Sequence, residues 1–176
     1  MSTDGLTHKQ RVARMIRVDY AGEFGAQRIY EGQLAVLGDS ASAEAIQHMK
    51  EQEERHLETF EKLVVERGVR PTALHPIWSI AGFALGAGTA LLGEKAAMAC
   101  TIAVEEVIDD HYRRQAEALG DLEPELKGVI EEFRAEEEEH RDIGKAHGGE
   151  EAIGYPVLSR LIKRGSKAAI WLSERI

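Results

Sequence analysis

Six side chains in this sequence have the types and spacing of a metal site: Glu23, Glu53, His56, Glu105, Glu137 and His140. Each glutamate falls on the apolar stripe of a segment with helical periodicity, where a helix keeps its hydrophobic residues. A buried carboxylate is costly unless positive charge compensates it. Two of the glutamates are followed three residues later by histidine, as Glu53-x-x-His56 and Glu137-x-x-His140. Residues three apart share a helix face. Composition alone would give roughly one such pair by chance, so the motif decides nothing by itself.

The distances to the chain breaks carry more weight. Glu23 lies 15 residues before Gly38 and Glu53 lies 15 after it. Glu105 lies 16 residues before Asp121 and Glu137 lies 16 after it. In an antiparallel helical hairpin such pairs meet at one height, about 22 Å from the turn at 1.5 Å per residue. Two hairpins packed together then bring four carboxylates and two imidazoles to one level. This is the ligand set described for ferritin-like di-iron and di-manganese carboxylate bundles. Hard oxygen donors with one imidazole per ion favour iron or manganese over zinc. Two iron ions are the expected cofactor, with manganese second. Ala21, Gly22, Gly25 and Ala26 around Glu23 leave room beside the metals for a ligand or O₂.

The elements that must position these donors are all helical. The chain of 176 residues fits one domain, 1–176, with a real core. Hydrophobic residues make up 43% of it, which places it among globular rather than disordered chains. No segment shows strand alternation. The first hairpin spans 6–67, with helices over 6–37 and from the Gly38-Asp39-Ser40 break to Arg67; Asp39 or Ser40 is the expected cap. Pro71 to Pro76 is a connector, and 77–93 is uncharged and rich in Gly and Ala. The second hairpin spans 94–147, broken at Gly120-Asp121, and a last amphipathic helix covers 155–173. Each hairpin carries Glu on its first helix and Glu-x-x-His on its second.

Several classes are excluded. One cysteine, Cys100, permits neither an intrachain disulfide nor a cysteine-rich metal site, which counts against a rubrerythrin-like peroxide reductase. Cys100 sits in an apolar run and reads as buried. The net charge of −9 argues against nucleic acid as a partner. Residues 1–17 lack a long apolar core, so a cytosolic start is expected. His8, His48, His75 and His147 have no Glu three residues earlier and read as surface or capping groups; His111 is a candidate to support a ligand from behind. Two further readings remain: a soluble ferritin-like iron-binding or ferroxidase protein, and a metal-free helical adaptor with exposed acids.

Asp19-Tyr20-Ala21-Gly22-Glu23, Glu53-x-x-His56, the run Ala99 to Glu106, His111-Tyr112, and Glu137-x-x-His140 followed by Asp142-Ile143-Gly144 resemble the 5-demethoxyubiquinone hydroxylase family. The resemblance runs from about Arg14 to Ile176, and no ligand position departs from it. It implies a di-iron monooxygenase that hydroxylates a polyprenyl demethoxy-benzoquinol in ubiquinone biosynthesis, with O₂ and NADH as co-substrates. It implies that Glu53 and Glu137 bridge the irons, that Glu23 and His56 complete one and Glu105 and His140 the other. Tyr112 would assist electron or proton movement nearby.

A polyprenyl quinone lives in lipid, so a peripheral site on the cytoplasmic face of a bacterial inner membrane is expected, with a mature mitochondrial inner-membrane form as the alternative. The 17 residues of 77–93 would make about 26 Å of helix, the lower limit for spanning. An in-plane helix with Trp78 and Phe83 at the interface is the expected form. From Tyr155 onward, five basic residues face one acid, which suits an anionic lipid surface. Both segments equally suit a homo-oligomer or a contact within a ubiquinone-synthesis complex.

Overall fold

The computed structural model describes residues 5–176. Met1 to Asp4, the start of the segment read for a signal, lie outside the described residues. Six α-helices and one short 3-10 turn, with no strand among the described residues, make up the chain. They are α1 (His8–Leu37), α2 (Ala43–Glu66), α3 (His75–Leu91), α4 (Glu94–Leu119), α5 (Pro124–Ala146) and α6 (Tyr155–Ser173), with the 3-10 turn at Gly149–Glu151.

The capping chemistry sets where the helices begin. Thr7 caps α1: its side chain accepts from the Gln10 backbone N–H, and the Gln10 side chain returns to the Thr7 N–H, a reciprocal capping box. The start of α2 differs from expectation. Asp39 and Ser40 lie in the turn, and Ser42 occupies the N-cap with no cap bond of its own. Instead its backbone N–H and hydroxyl both donate to Glu94 at the start of α4, at 3.1 and 2.6 Å. Ser40 Oγ also accepts from the Ser42 N–H, at 3.3 Å, while Glu94 anchors the N-cap residue from 52 residues away.

The four long helices α1, α2, α4 and α5 form the bundle. α1 packs on α2 and α4 on α5 as hairpins, and α1·α4 and α2·α5 contacts close it. One end of its core holds Val12, Ile16, Phe60, Tyr112, Leu119, Leu126, Ile130 and Phe133. Tyr30, Ile46, Met49 and Met98 fill the other. The charged donors lie between these two apolar caps, and that placement seals them from water.

α3 and α6 lie outside the bundle, against α1 and α4 respectively. The α1–α3 contact is backbone to backbone. A Cβ on Gly86 would lie 1.9 Å from the Ile29 carbonyl oxygen, and one on Gly32 would lie 2.2 Å from that of Phe83. Because backbone cannot swing away as a side chain can, Gly86→Ala is expected to cost about 1–3 kcal/mol of stability, measurable as a lowered denaturation midpoint. An unchanged midpoint would mean that α3 is not held this closely.

Among the described residues no helix is long and apolar enough to cross a membrane. The aromatic residues of α3 are half-buried. Trp78 is half-buried and its Nε1 donates to Ser173 Oγ of α6 at 3.0 Å. Phe83 lies beneath the Arg28 guanidinium, 5.1 Å from ring centroid to Cζ. Exposed apolar side chains include Ile77, Ile80, Leu91 and Leu92 in or next to α3, and Val157, Leu161 and Trp171 on α6, besides others such as Val65, Leu122 and Ile153 elsewhere.

Candidate metal centre and its cavity

The helices bring all six donors together. Glu23 on α1, Glu53 and His56 on α2, Glu105 on α4, and Glu137 and His140 on α5 are each at most 1% exposed. They fall into two groups whose ligand atoms lie within 4.8 Å of one another: Glu23, Glu53, His56 and Glu137, and Glu53, Glu105, Glu137 and His140. Glu53 and Glu137 belong to both. His56 Nδ1 lies 3.4 Å from Glu23 Oε2 and 3.3 Å from Glu137 Oε1. His140 Nδ1 lies 3.3 Å from Glu53 Oε1 and 3.1 Å from Glu137 Oε2.

These donors fit a pair of cations by what they leave unsatisfied. Glu23 Oε2, both oxygens of Glu53, Glu105 Oε2, Glu137 Oε1 and His56 Nδ1 are buried without a hydrogen-bond partner of acceptable geometry. Buried polar atoms in a folded protein are nearly always partnered. Six orphans pointing into one volume need an occupant that attracts oxygen and nitrogen lone pairs. The pattern within each carboxylate agrees. Tyr112 Oη donates to Glu23 Oε1 and Tyr30 Oη to Glu105 Oε1, the latter at 2.6 Å. In both cases Oε1 is taken and Oε2 is left free, whereas Glu53 keeps both oxygens free.

Protonation follows from the same crowding. Burial, and then the charge of Glu137, push the Glu23, Glu53 and Glu105 carboxyls well above their ordinary range. Burial would also raise Glu137, but the two imidazoles outweigh it and hold that group at about 2. Burial pulls His140 down, yet Glu137 and Glu53 outweigh it and push the imidazole up to about 11. The metal-free centre at neutral pH therefore stores protons. An ion must displace them, because carboxylate and imidazole ligate in their deprotonated forms. Anaerobic titration of the metal-free protein with Fe(II) at pH 7 in weak buffer is expected to release protons, with affinity rising as pH rises. Without metal the sign for stability is opposite. A folded pKa above its unfolded value means that stability declines as pH climbs, here from about 4.5 upward. Metal uptake without proton release, or affinity that falls with rising pH, would contradict this protonation scheme.

Of the residues singled out beyond the six, Tyr112 is buried at the site, on Glu23. His111 does not touch a ligand; its Nε2 lies 3.4 Å from Asp19, whose Oδ1 accepts from Gln115 at 2.7 Å. Cys100 is fully buried, and burial pushes its thiol up to about 12, far from a nucleophile. Three residues escape the sequence reading. Tyr30 stands seven residues after Glu23 as Tyr112 stands seven after Glu105, so internal repetition marked it. Gln52 and Glu136 lie behind the histidines, where only the packing of the two hairpins reveals them.

An apolar cavity of about 550 Å³ lies between α1 and α4 on one side and α3 and α6 on the other, lined by sequence neighbours of Glu23 and Glu105 and by none of the six donors. Ala21, Gly22, Gly25 and Ala26, the small residues flanking Glu23, line it, and Val104, next to Glu105, adds to the wall. Leu161 both lines the cavity and is 61% exposed, so the cavity opens on the face that carries the exposed apolar side chains of α6.

The bundle defines a ferritin-like helical protein with two buried donor groups, sharing two carboxylates, whose chemistry is compatible with metal. More narrowly, the chain belongs to the family described as ubiquinone biosynthesis protein COQ7, whose model matches residues 10–173. A 3-demethoxyubiquinol 3-hydroxylase of Rhodospirillum rubrum is 62% identical over 166 residues, 94% of this chain and 78% of that protein. The mitochondrial NADPH-dependent 3-demethoxyubiquinone 3-hydroxylase of Bos taurus is 53% identical over 180 residues, 100% of this chain and 82% of that one. The mitochondrial 5-demethoxyubiquinone hydroxylase of Saccharomyces cerevisiae is 42% identical over 180 residues, covering 93% and 77%. These relatives are named as hydroxylases, not as storage proteins.

Proposed function

We propose that this chain hydroxylates the ring of a demethoxyubiquinol, working as a di-iron monooxygenase at a membrane surface. The observation that carries this reading is the apolar cavity running from the exposed face of α6 to the small residues beside Glu23. Glu53 and Glu137, common to both donor groups, would hold two ions together with Glu23 and His56 for one and Glu105 and His140 for the other. Bound iron would activate O₂, delivering one oxygen atom to a ring C–H and releasing the other as water for two electrons and two protons. A reduced nicotinamide nucleotide, NADH or NADPH, is the source of those electrons.

The protein's own groups do the rest. Tyr30 and Tyr112 each hold one oxygen of a terminal carboxylate, which fixes the other for metal and keeps two hydroxyl protons at the edge of the site. Ile29, Val104 and Ile162 wall the cavity with hydrocarbon and exclude water. Gly22 and Gly25 give the ring space against α1. The exposed Ile80, Leu91, Val157, Leu161 and Trp171, with Arg160 and Arg164 of the basic helix beside them, suit an anionic bilayer from which a prenylated ring can enter.

The test is anaerobic loading with Fe(II) in detergent with a demethoxyubiquinol analogue and NADH or NADPH, followed by ¹⁸O₂. The expected product is heavier by one labelled oxygen atom. Absence of hydroxylated product, or oxygen drawn from water, would overturn the proposal.

A further inference from the structure

The support behind the two histidines is exchanged between the hairpins. Gln52, the residue before Glu53 on α2, places Oε1 2.9 Å from Nε2 of His140 on α5. Glu136, the residue before Glu137 on α5, places Oε2 2.8 Å from Nε2 of His56 on α2. Each Glu-x-x-His segment therefore carries, one position upstream, the group that holds the other segment's histidine. Both groups present oxygen to an Nε2, so each ring points its Nδ1 toward the carboxylates, His56 Nδ1 without a partner and His140 Nδ1 3.1 Å from Glu137 Oε2. Such outer hydrogen bonds fix ring orientation and raise ligand basicity.

The exchange is symmetric in position and unequal in charge. The tyrosines repeat faithfully, Tyr30 on Glu105 and Tyr112 on Glu23. Behind the histidines one acceptor is a neutral amide and the other a carboxylate. The Glu136 side chain is only 19% exposed, and Arg55 pins the same oxygen that faces His56. An ionised acceptor makes a hydrogen bond roughly twice as strong as a neutral one. The ring it holds is the better donor.

We infer that Gln52 and Glu136 are positioning residues that make the two metal positions unequal, the His56 position holding its ion more tightly than the His140 position. This rests on the two-metal reading given above. Loading is therefore ordered, and the first ion bound to a metal-free chain sits beside Glu23 and His56.

The experiment supplies one ⁵⁷Fe(II) per metal-free chain under anaerobic conditions and reads the populations of the two iron environments by Mössbauer spectroscopy. Wild type should show two unequal doublets. E136A should weaken the favoured position roughly 10–100-fold and reverse the ratio. E136Q, which restores an acceptor without the charge, should bring the doublets toward equality. Q52A should widen the inequality. E138Q removes a negative charge from the same helix at a side chain 45% exposed and paired with Arg134, and should leave the ratio as in wild type. Equal doublets in wild type, a ratio indifferent to E136A, or the same shift in E138Q as in E136Q would overturn the inference. Wild type that takes up no iron at all would remove the two-metal reading together with it. Two ions taken up indifferently by every variant would sink the inference alone.

Discussion

Glu53→Ala is expected to abolish hydroxylation, by at least about 10³-fold given how mutations of groups acting as a unit behave, while leaving the metal-free protein folded and no less stable. Glu53 is shared by both donor groups, so its loss removes a ligand from each ion at once. In the metal-free chain the same carboxylate is a liability. It is fully buried, neither oxygen has a partner, and burial together with Glu137 and Glu23 disfavours its charged form. Removing it relieves that cost. Thermal unfolding with and without Fe(II) separates the two effects. Wild type should gain stability with added ion as RT ln(1 + [L]/Kd), and the variant should not. Full activity in Glu53→Ala would remove the metal assignment; a variant that fails to fold would show that Glu53 carries a structural role beyond the centre.

Gly22 is the second position with a large expected effect, and its two substitutions should diverge. A glycine inside a helix costs roughly 0.5–1 kcal/mol relative to alanine. At Gly32 and Gly86 the close approach of α3 accounts for that cost. At Gly22 nothing does: a Cβ there meets no atom within 4 Å, and the space it would enter is the cavity beside Glu23. Gly22→Ala is therefore expected to stabilise the protein by roughly 0.5–1 kcal/mol with activity nearly kept. Gly22→Leu should fill the ring's space, lowering kcat/KM about 100-fold or more, which corresponds to roughly 3 kcal/mol of lost transition-state binding, with metal content unchanged. Comparable kcat/KM in the two variants, measured with a prenylated substrate, would place the ring elsewhere.

Much of this architecture is legible in the sequence because the helices are long and their breaks are sharp. Gly38 and Asp121 mark the two turns closely enough that counting residues matches the depths of Glu23 with Glu53 and Glu105 with Glu137, and the structure groups all four. Tyr112 entered as a site residue only through the family resemblance. What stayed hidden depends on contacts between distant elements. Ser42 takes the N-cap of α2, anchored by Glu94 from the far hairpin as well as by Ser40, so Asp39 and Ser40 looked like the better candidates. For Trp78 and Phe83, read as interfacial aromatics, the partners lie on distant helices, Ser173 of α6 for the one and Arg28 of α1 for the other, while aliphatic Ile77, Ile80, Leu91 and Leu92 are the exposed apolar groups there. Gln52 and Glu136 sit among runs of polar residues that look uniformly solvated. Only the crossing of α2 and α5 turns these two inward.

The central claim is that Glu53 and Glu137 are shared by two ions held between the hairpins. Crystals of protein loaded anaerobically with Fe(II), with diffraction recorded at the iron absorption edge, test it most directly. Two anomalous peaks are predicted, with both carboxylates between them and one histidine Nδ1 on each. A single peak, no peak, or iron bound only to the exposed acids of α2 and α5 would contradict it.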